Sequence, residues 1–194
     1  MVAYEAERLR AWMLQTKRST IAEAREGAVV RLVGTVVFLD GKTVEAGVTG
    51  RRCALWQAVL ERFTDEVGRE SGGVAFAIDD GTGRAVIDPD LARVTLHKDA
   101  TNRGQQLVSP TEREQAFISR YMPAEDAWMA RRLYSWCEGI LEEGERIAVC
   151  GVVIREADPN PNAVRDYREP ALRIRIGGSR SPPVAISDEA DVLA

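Results

Sequence analysis

The segment Phe76-Ala77-Ile78-Asp79-Asp80-Gly81-Thr82-Gly83-Arg84-Ala85-Val86-Ile87-Asp88-Pro89 leaves this chain few choices of fold. Two short apolar runs flank an Asp-Gly turn. Glycine takes the positive φ of a tight hairpin turn without steric cost, and Asp tolerates it better than most residues. Val86 and Ile87 favour an extended return strand, and Pro89 ends it because proline cannot donate to a ladder. The segment reads as a β-hairpin around which the other strands must pair.

The strongest of those strands are long and interrupted by glycine. Residues 28–39 carry Val29, Val30, Leu32, Val33, Val36 and Val37, with Gly34 in the middle. Residues 146–156 carry Ile147, Val149, Val152, Val153 and Ile154, with Gly151 in the middle. A glycine inside a strand marks a bulge or a bend, and small closed barrels need such bends. Residues 170–176 alternate Leu172, Ile174 and Ile176 with Arg173 and Arg175, as a half-buried strand does. Between hairpin and second long strand, Ser109-Pro110-Thr111-Glu112 starts a helix running to about Tyr121. Strand, hairpin, helix, strand, strand is the order of an OB-fold. The expected class is mainly β, an antiparallel OB-like barrel with an N-terminal helix and a helix inserted before the last barrel strands.

The expected organisation is a helical segment over 1–27, one OB-like β domain over 28–187 and an acidic tail over 188–194 that frays. The N-terminal helix covers residues 4–16, with Leu9, Trp12, Met13 and Thr16 on one face docked on the core. Ser19 or Thr20 caps a short turn that Gly27 stops. Residues 43–73 elaborate the connection between the first two barrel strands. Within them, the apolar spacing over 53–63 suits a strand or a helix, the turn at Thr49-Gly50-Arg51-Arg52 favouring a strand, and 64–73 reads as a polar loop. Residues 99–109 and 157–168 read as loops, and 124–131 as a second short helix. Segments 91–98 and 132–141 stay undecided between alternatives.

A chain of 194 residues, 45% hydrophobic and 29% charged, has ample material for a core and reads as ordinary soluble globular protein. The net charge of −4 makes nucleic acid an unlikely general partner, because neutralising phosphates takes a basic excess or stripe. Cys53, Cys137 and Cys150 lack paired spacing and are expected to pack as small apolar residues. With His97 as the single histidine, no zinc site of the usual spacing assembles. No apolar run is long enough to span a membrane and no signal peptide opens the chain, so a cytoplasmic location is expected.

Several ordered motifs then resemble one family. Residues Ser19-Thr20-Ile21-Ala22-Glu23-Ala24-Arg25-Glu26-Gly27 precede the first strand. Thr49-Gly50-Arg51-Arg52-Cys53 leads into Leu55 and Trp56. Asp79 to Gly83 is followed by Asp88-Pro89, and Glu138, Leu141 and Gly144 precede the second long strand. Val184-Ala185-Ile186-Ser187 closes the series. Together they resemble the GIDE-type, or "beside a membrane", domain of the E3 ubiquitin ligase family and its prokaryotic relatives, over most of the chain. The resemblance implies a domain that flanking helices tether at a membrane. This sequence has neither those helices nor the ligase members' RING ligands, so ligase chemistry is not implied and membrane association is expected only where a flanking helix is supplied. The family's usual proline after Ala46 is Gly47 here, which is expected to loosen that loop.

No reaction is legible. His97 reads as a solvated loop residue. Asp79, Asp80 and Asp88 could ligate a cation, but turn chemistry explains them better. Cys53 follows Arg51 and Arg52 without a general base in reach. No P-loop, dinucleotide fingerprint or nucleophile elbow is present, so no cofactor and no enzymatic activity are expected. The leading expectation is a non-catalytic module that binds a protein partner. The alternative is single-stranded oligonucleotide binding on one barrel face. Arg51, Arg52, Trp56, Arg173 and Arg175 are the candidate binding residues for either, with Arg62 and Phe63 beside them.

Overall fold

The computed structural model describes residues 2–63, 65–90, 92–103, 110–123, 134–159, 164–166, 169–170, 172–178 and 183–194. Helix α1 (Val2–Gln15) is followed by β1 (Val29–Phe38), β2 (Val44–Glu45), β3 (Arg52–Cys53), β4 (Leu55–Arg62), β5 (Asp65–Gly73), β6 (Phe76–Asp79), β7 (Arg84–Ile87), β8 (Ala92–Thr95) and β9 (Ala100–Arg103). Then come α2 (Glu112–Tyr121), β10 (Tyr134–Leu141), β11 (Arg146–Ala157), β12 (Val164–Asp166), β13 (Glu169–Pro170), β14 (Leu172–Gly177) and β15 (Val184–Ser187).

Five strands close a barrel in the order β1-β6-β7-β14-β11, with β11 returning to β1. The β6–β7 hairpin sits at its centre, Phe76 opposite Ile87 and Asp79 opposite Arg84. Every barrel pairing is antiparallel except β7 with β14, whose parallel contact completes the ring. The two interior glycines earn their places by close approach. A Cβ on Gly34 would sit 2.9 Å from the carbonyl oxygen of Asp79, where β1 passes from pairing β11 to pairing β6. A Cβ on Gly151 would lie 2.5 Å from Cγ2 of Ile176 and 2.7 Å from the carbonyl oxygen of Gly177, where β11 begins its pairing with β14. Leu32, Phe76, Ile78, Ile87, Ile147 and Ile176 fill the interior.

A second sheet of four strands, β5-β4-β10-β9, stands beside the barrel. Its strands come from two insertions, one between β1 and β6 and one between β7 and β11. The α2 helix belongs to this sheet rather than to the barrel. Phe117 packs with Val48, Leu60, Tyr134 and Trp136. Its start is fixed by a capping box: Thr111 Oγ1 accepts the Glu114 N–H, and Glu114 accepts the Thr111 N–H at 2.7 Å.

The barrel is closed off by the N-terminal segment. Ile21 and Ala24 join the main core. Asp80 accepts the Ile21 N–H at 2.7 Å, and Thr82 Oγ1 accepts the Ala22 N–H at 3.1 Å, which ties this turn to the hairpin tip. Leu9 and Met13 of α1 cover the outer face made by Val33, Ala148, Cys150 and Ala185. Burying two such side chains stabilises the docked helix by about 2 kcal/mol each.

Several expectations are corrected. Residues 64–73 hold the nine-residue edge strand β5, not a loop. Its polarity misleads because ion pairs and a ring take the place of apolar contacts: Arg69 binds Glu66, Arg120 binds Glu70, and the Tyr121 ring covers Gly68. Strand β9 lies inside the expected 99–109 loop, and β12 inside the expected 157–168 loop, where it pairs with β13. Segments 91–98 and 132–141 contain strands β8 and β10. The tail does not fray: Val192 is fully buried under α1, and Asp191 pairs with Arg10 at 2.6 Å. The helix expected over 124–131 falls outside the described residues.

Candidate functional site

Four of the five expected binding residues are spread over three different sheets, and Arg51 lies just outside one of them. Arg52 belongs to the β2–β3 ribbon with Arg51 just before it, Trp56 to the four-stranded sheet, and Arg173 and Arg175 to barrel strand β14. Four of the five are engaged by side chains of the chain itself. Arg51 donates to both oxygens of Glu142, at 3.2 and 2.5 Å. Arg52 donates from Nε and Nη2 to Thr43 Oγ1, each at 3.2 Å. Arg173 and Arg175 share the two oxygens of Glu156, at 2.8 and 2.9 Å, and these guanidiniums, Arg175 first, hold that carboxyl below its usual range. Trp56 is half-buried and lies over glycines. A Cβ on Gly72 would fall 2.8 Å from its Nε1, and one on Gly47 2.5 Å from its ring edge. Gly47 therefore does not loosen its loop. It admits the Trp56 ring, and Ala46 fastens the loop by donating to the Arg51 carbonyl and accepting from the Gly50 N–H.

The barrel face formed by β6, β7 and β14 gives little for a nucleic-acid base to stack on. Its solvent-facing positions are Asp79, Arg84, Val86, Arg173 and Arg175, with Arg84 paired to Asp79 at 2.9 Å. Phe63 is the one strongly exposed aromatic side chain among the described residues, and it lies at the far end of β4 with the Arg62 guanidinium over its ring.

Buried carboxylates hold loops in place. Glu138, fully buried on β10, accepts the N–H groups of Val48 and Thr49 at 2.8 and 2.9 Å. Burial raises the Glu114 carboxyl, but donors on Thr111, Asn102 and Trp136 outweigh it and hold it below the usual range. Asp79, Asp80 and Asp88 each accept the N–H two residues on, which is the expected turn chemistry. Burial pushes the Cys53 and Cys150 thiols up to about 12, and raises that of Cys137 as well. Cys53 and Cys150 are buried and pack as small apolar residues, while Cys137 is half-buried. Among the described residues, no group of three or more metal-ligating side chains converges, and no helix is long and apolar enough to cross a membrane.

The feature that the sequence did not announce is a cleft of about 660 Å³ where the barrel meets the four-stranded sheet. Leu9 of α1, Val59 of β4 and Cys137 of β10 give it apolar walls. Glu66 and Arg69 of β5 pair on its rim at 2.7 Å, with Arg69 also donating to Gln57. Five consecutive residues, 92–96, line the cleft, so β8 presents its backbone as well as alternate side chains. β8 is the terminal strand of its sheet, paired with β15 along one edge. Gly139 lets the chain cross from β8 towards β9, since a Cβ there would meet the His97 carbonyl. The only trace of this cleft in the sequence was the undecided segment 91–98, because its walls come from parts of the chain far apart in sequence.

No family model matches the chain, and no curated protein or solved structure does either.

Proposed function

We propose that this chain is a non-catalytic protein-interaction module, and that an extended segment of a partner protein lies in the cleft along β8. One observation carries the reading: β8, the terminal strand of its sheet among the described residues, borders a cleft in which Leu9, Val59, Val94 and Leu96 stand beside charged side chains. An added strand gains main-chain hydrogen bonds from such an edge and specificity from pockets that take alternate side chains. The resemblance to the GIDE-type domain adds a place of action beside a membrane. Oligonucleotide binding has less support, since the expected arginines are engaged by Glu142, Thr43 and Glu156 and the outer barrel face carries no ring.

The test places a photo-crosslinking amino acid at Thr95 in the cleft or at Arg84 on the outer barrel face, in the source cells. A protein crosslinked from position 95 and not from 84, and lost on Val59→Asp, is the expected result. Equal crosslinking from both positions, or none from position 95, would sink the proposal.

A further inference from the structure

A second groove shares no residue with the cleft. It consists of two hollows, of about 770 and 490 Å³, that follow β1 on either side of the point where residues 17–19 bridge Arg31. The hollows have Arg18, Ser19 and Glu23 in common.

Four cations line this groove: Lys17, Arg18, Arg25 and Arg146. All four side chains are exposed, and none has an ion-pair or hydrogen-bond partner among the described residues. The acids there are already engaged. Asp79 pairs with Arg84 and accepts the Gly81 N–H. Asp80 accepts from Ile21, Thr82 and Gly83, and Glu23 accepts from the Thr20 hydroxyl at 3.0 Å. Asp79 is neutralised by Arg84, so four free cations face two carboxylates, Asp80 and Glu23. The groove is therefore net positive on a chain whose net charge is −4.

Two further facts narrow the occupant. The cations are spread along two hollows rather than gathered at one point, which suits a chain of charges better than a compact anion. The lining has Val29, 41% exposed, and Val37 among the cations, and no aromatic ring. Base stacking needs a ring, whereas aliphatic side chains need only such apolar ground. We propose that this groove docks an extended acidic peptide segment of a partner protein, with aliphatic residues interleaved among its carboxylates.

The probe is a fluorescein-labelled peptide of alternating Glu and Val, titrated with the full chain and read by fluorescence anisotropy. The wild type is expected to bind it and to lose affinity as salt rises. Arg18→Glu with Arg146→Glu should weaken binding about tenfold or more, as reversal of steering charges at a rim does. The milder Arg18→Gln with Arg146→Gln should weaken it less, with an unchanged circular dichroism spectrum. Arg93→Glu, in the cleft, should leave it untouched, so this surface and the cleft are tested apart. The proposal is overturned if the wild type does not bind the peptide, or if the reversed variant binds it equally well. It is equally overturned if oligo-dT binds the groove more tightly than the peptide, or if inorganic pyrophosphate displaces the peptide at matching concentration.

Discussion

The carboxylate of Glu138 accepts the backbone N–H of Thr49 at 2.9 Å across 89 residues of chain. With its other oxygen on the Val48 N–H, it fastens the 47–50 turn to the middle of β10. The Arg51–Glu142 pair lies alongside. The motif around Thr49 to Cys53 and the motif from Glu138 to Gly144 are thus two halves of one staple. The Ser19 to Gly27 motif and the Asp79 to Gly83 hairpin form another, through Asp80 and Thr82.

Removing the first staple should be costly. Glu138→Ala leaves the buried Val48 N–H without an acceptor and is expected to lower stability by about 3 kcal/mol. Glu138→Gln, which keeps one acceptor oxygen, should cost less. Urea unfolding of both variants measures this; an Ala variant as stable as wild type would show that water replaces the carboxylate.

Trp56 and Arg52 should separate in their effects. Trp56→Ala empties the space between Gly47 and Gly72 and is expected to cost about 3 kcal/mol. Arg52→Ala removes only exposed contacts to Thr43 and should cost under about 1 kcal/mol. Thermal unfolding compares the two, and equal losses would contradict the packing role of the ring.

The Glu114 carboxyl lies below its ordinary value in the folded chain, so its contribution is present above the unfolded pKa of about 4.3 and is lost as pH falls through the lower folded value. Glu114→Gln is expected to be less stable than wild type at pH 7, with the gap closing as pH falls below the unfolded value of about 4.3. Tm profiles of the two proteins against pH test this, and a gap that stays constant as pH falls would remove the carboxylate from the account.

Thiol reactivity gives an independent reading of burial. With Cys53 and Cys150 pushed up to about 12 and Cys137 raised as well, the folded chain should react slowly with a disulfide reagent at pH 8. In denaturant all three thiols of the sequence should react at once. Rapid labelling of the folded protein at Cys53 would argue that β2 and β3 open readily.

The barrel was legible because its signals are local. Asp79 to Gly83 names its own turn, Val29 to Val37 and Ile147 to Ile154 are apolar runs that bend at a glycine, and the β14 residues alternate. Thr111 and Glu114 announce the start of α2 in the same way. Each follows from the conformational preferences and spacing of neighbouring residues, so the chain by itself determined the barrel strands and their order. The four-stranded sheet was only half visible. β5 is an edge strand that trades apolar contacts for ion pairs, and β10 carries both a strand and a helix pattern, so pairing with β4 decided it. Tertiary structure alone decided where α2 packs, which carboxylates neutralise Arg51, Arg173 and Arg175, and how β8 comes to border a cleft. A charge or a strand edge is free or occupied according to what distant chain lies against it, and no local preference along the sequence encodes that.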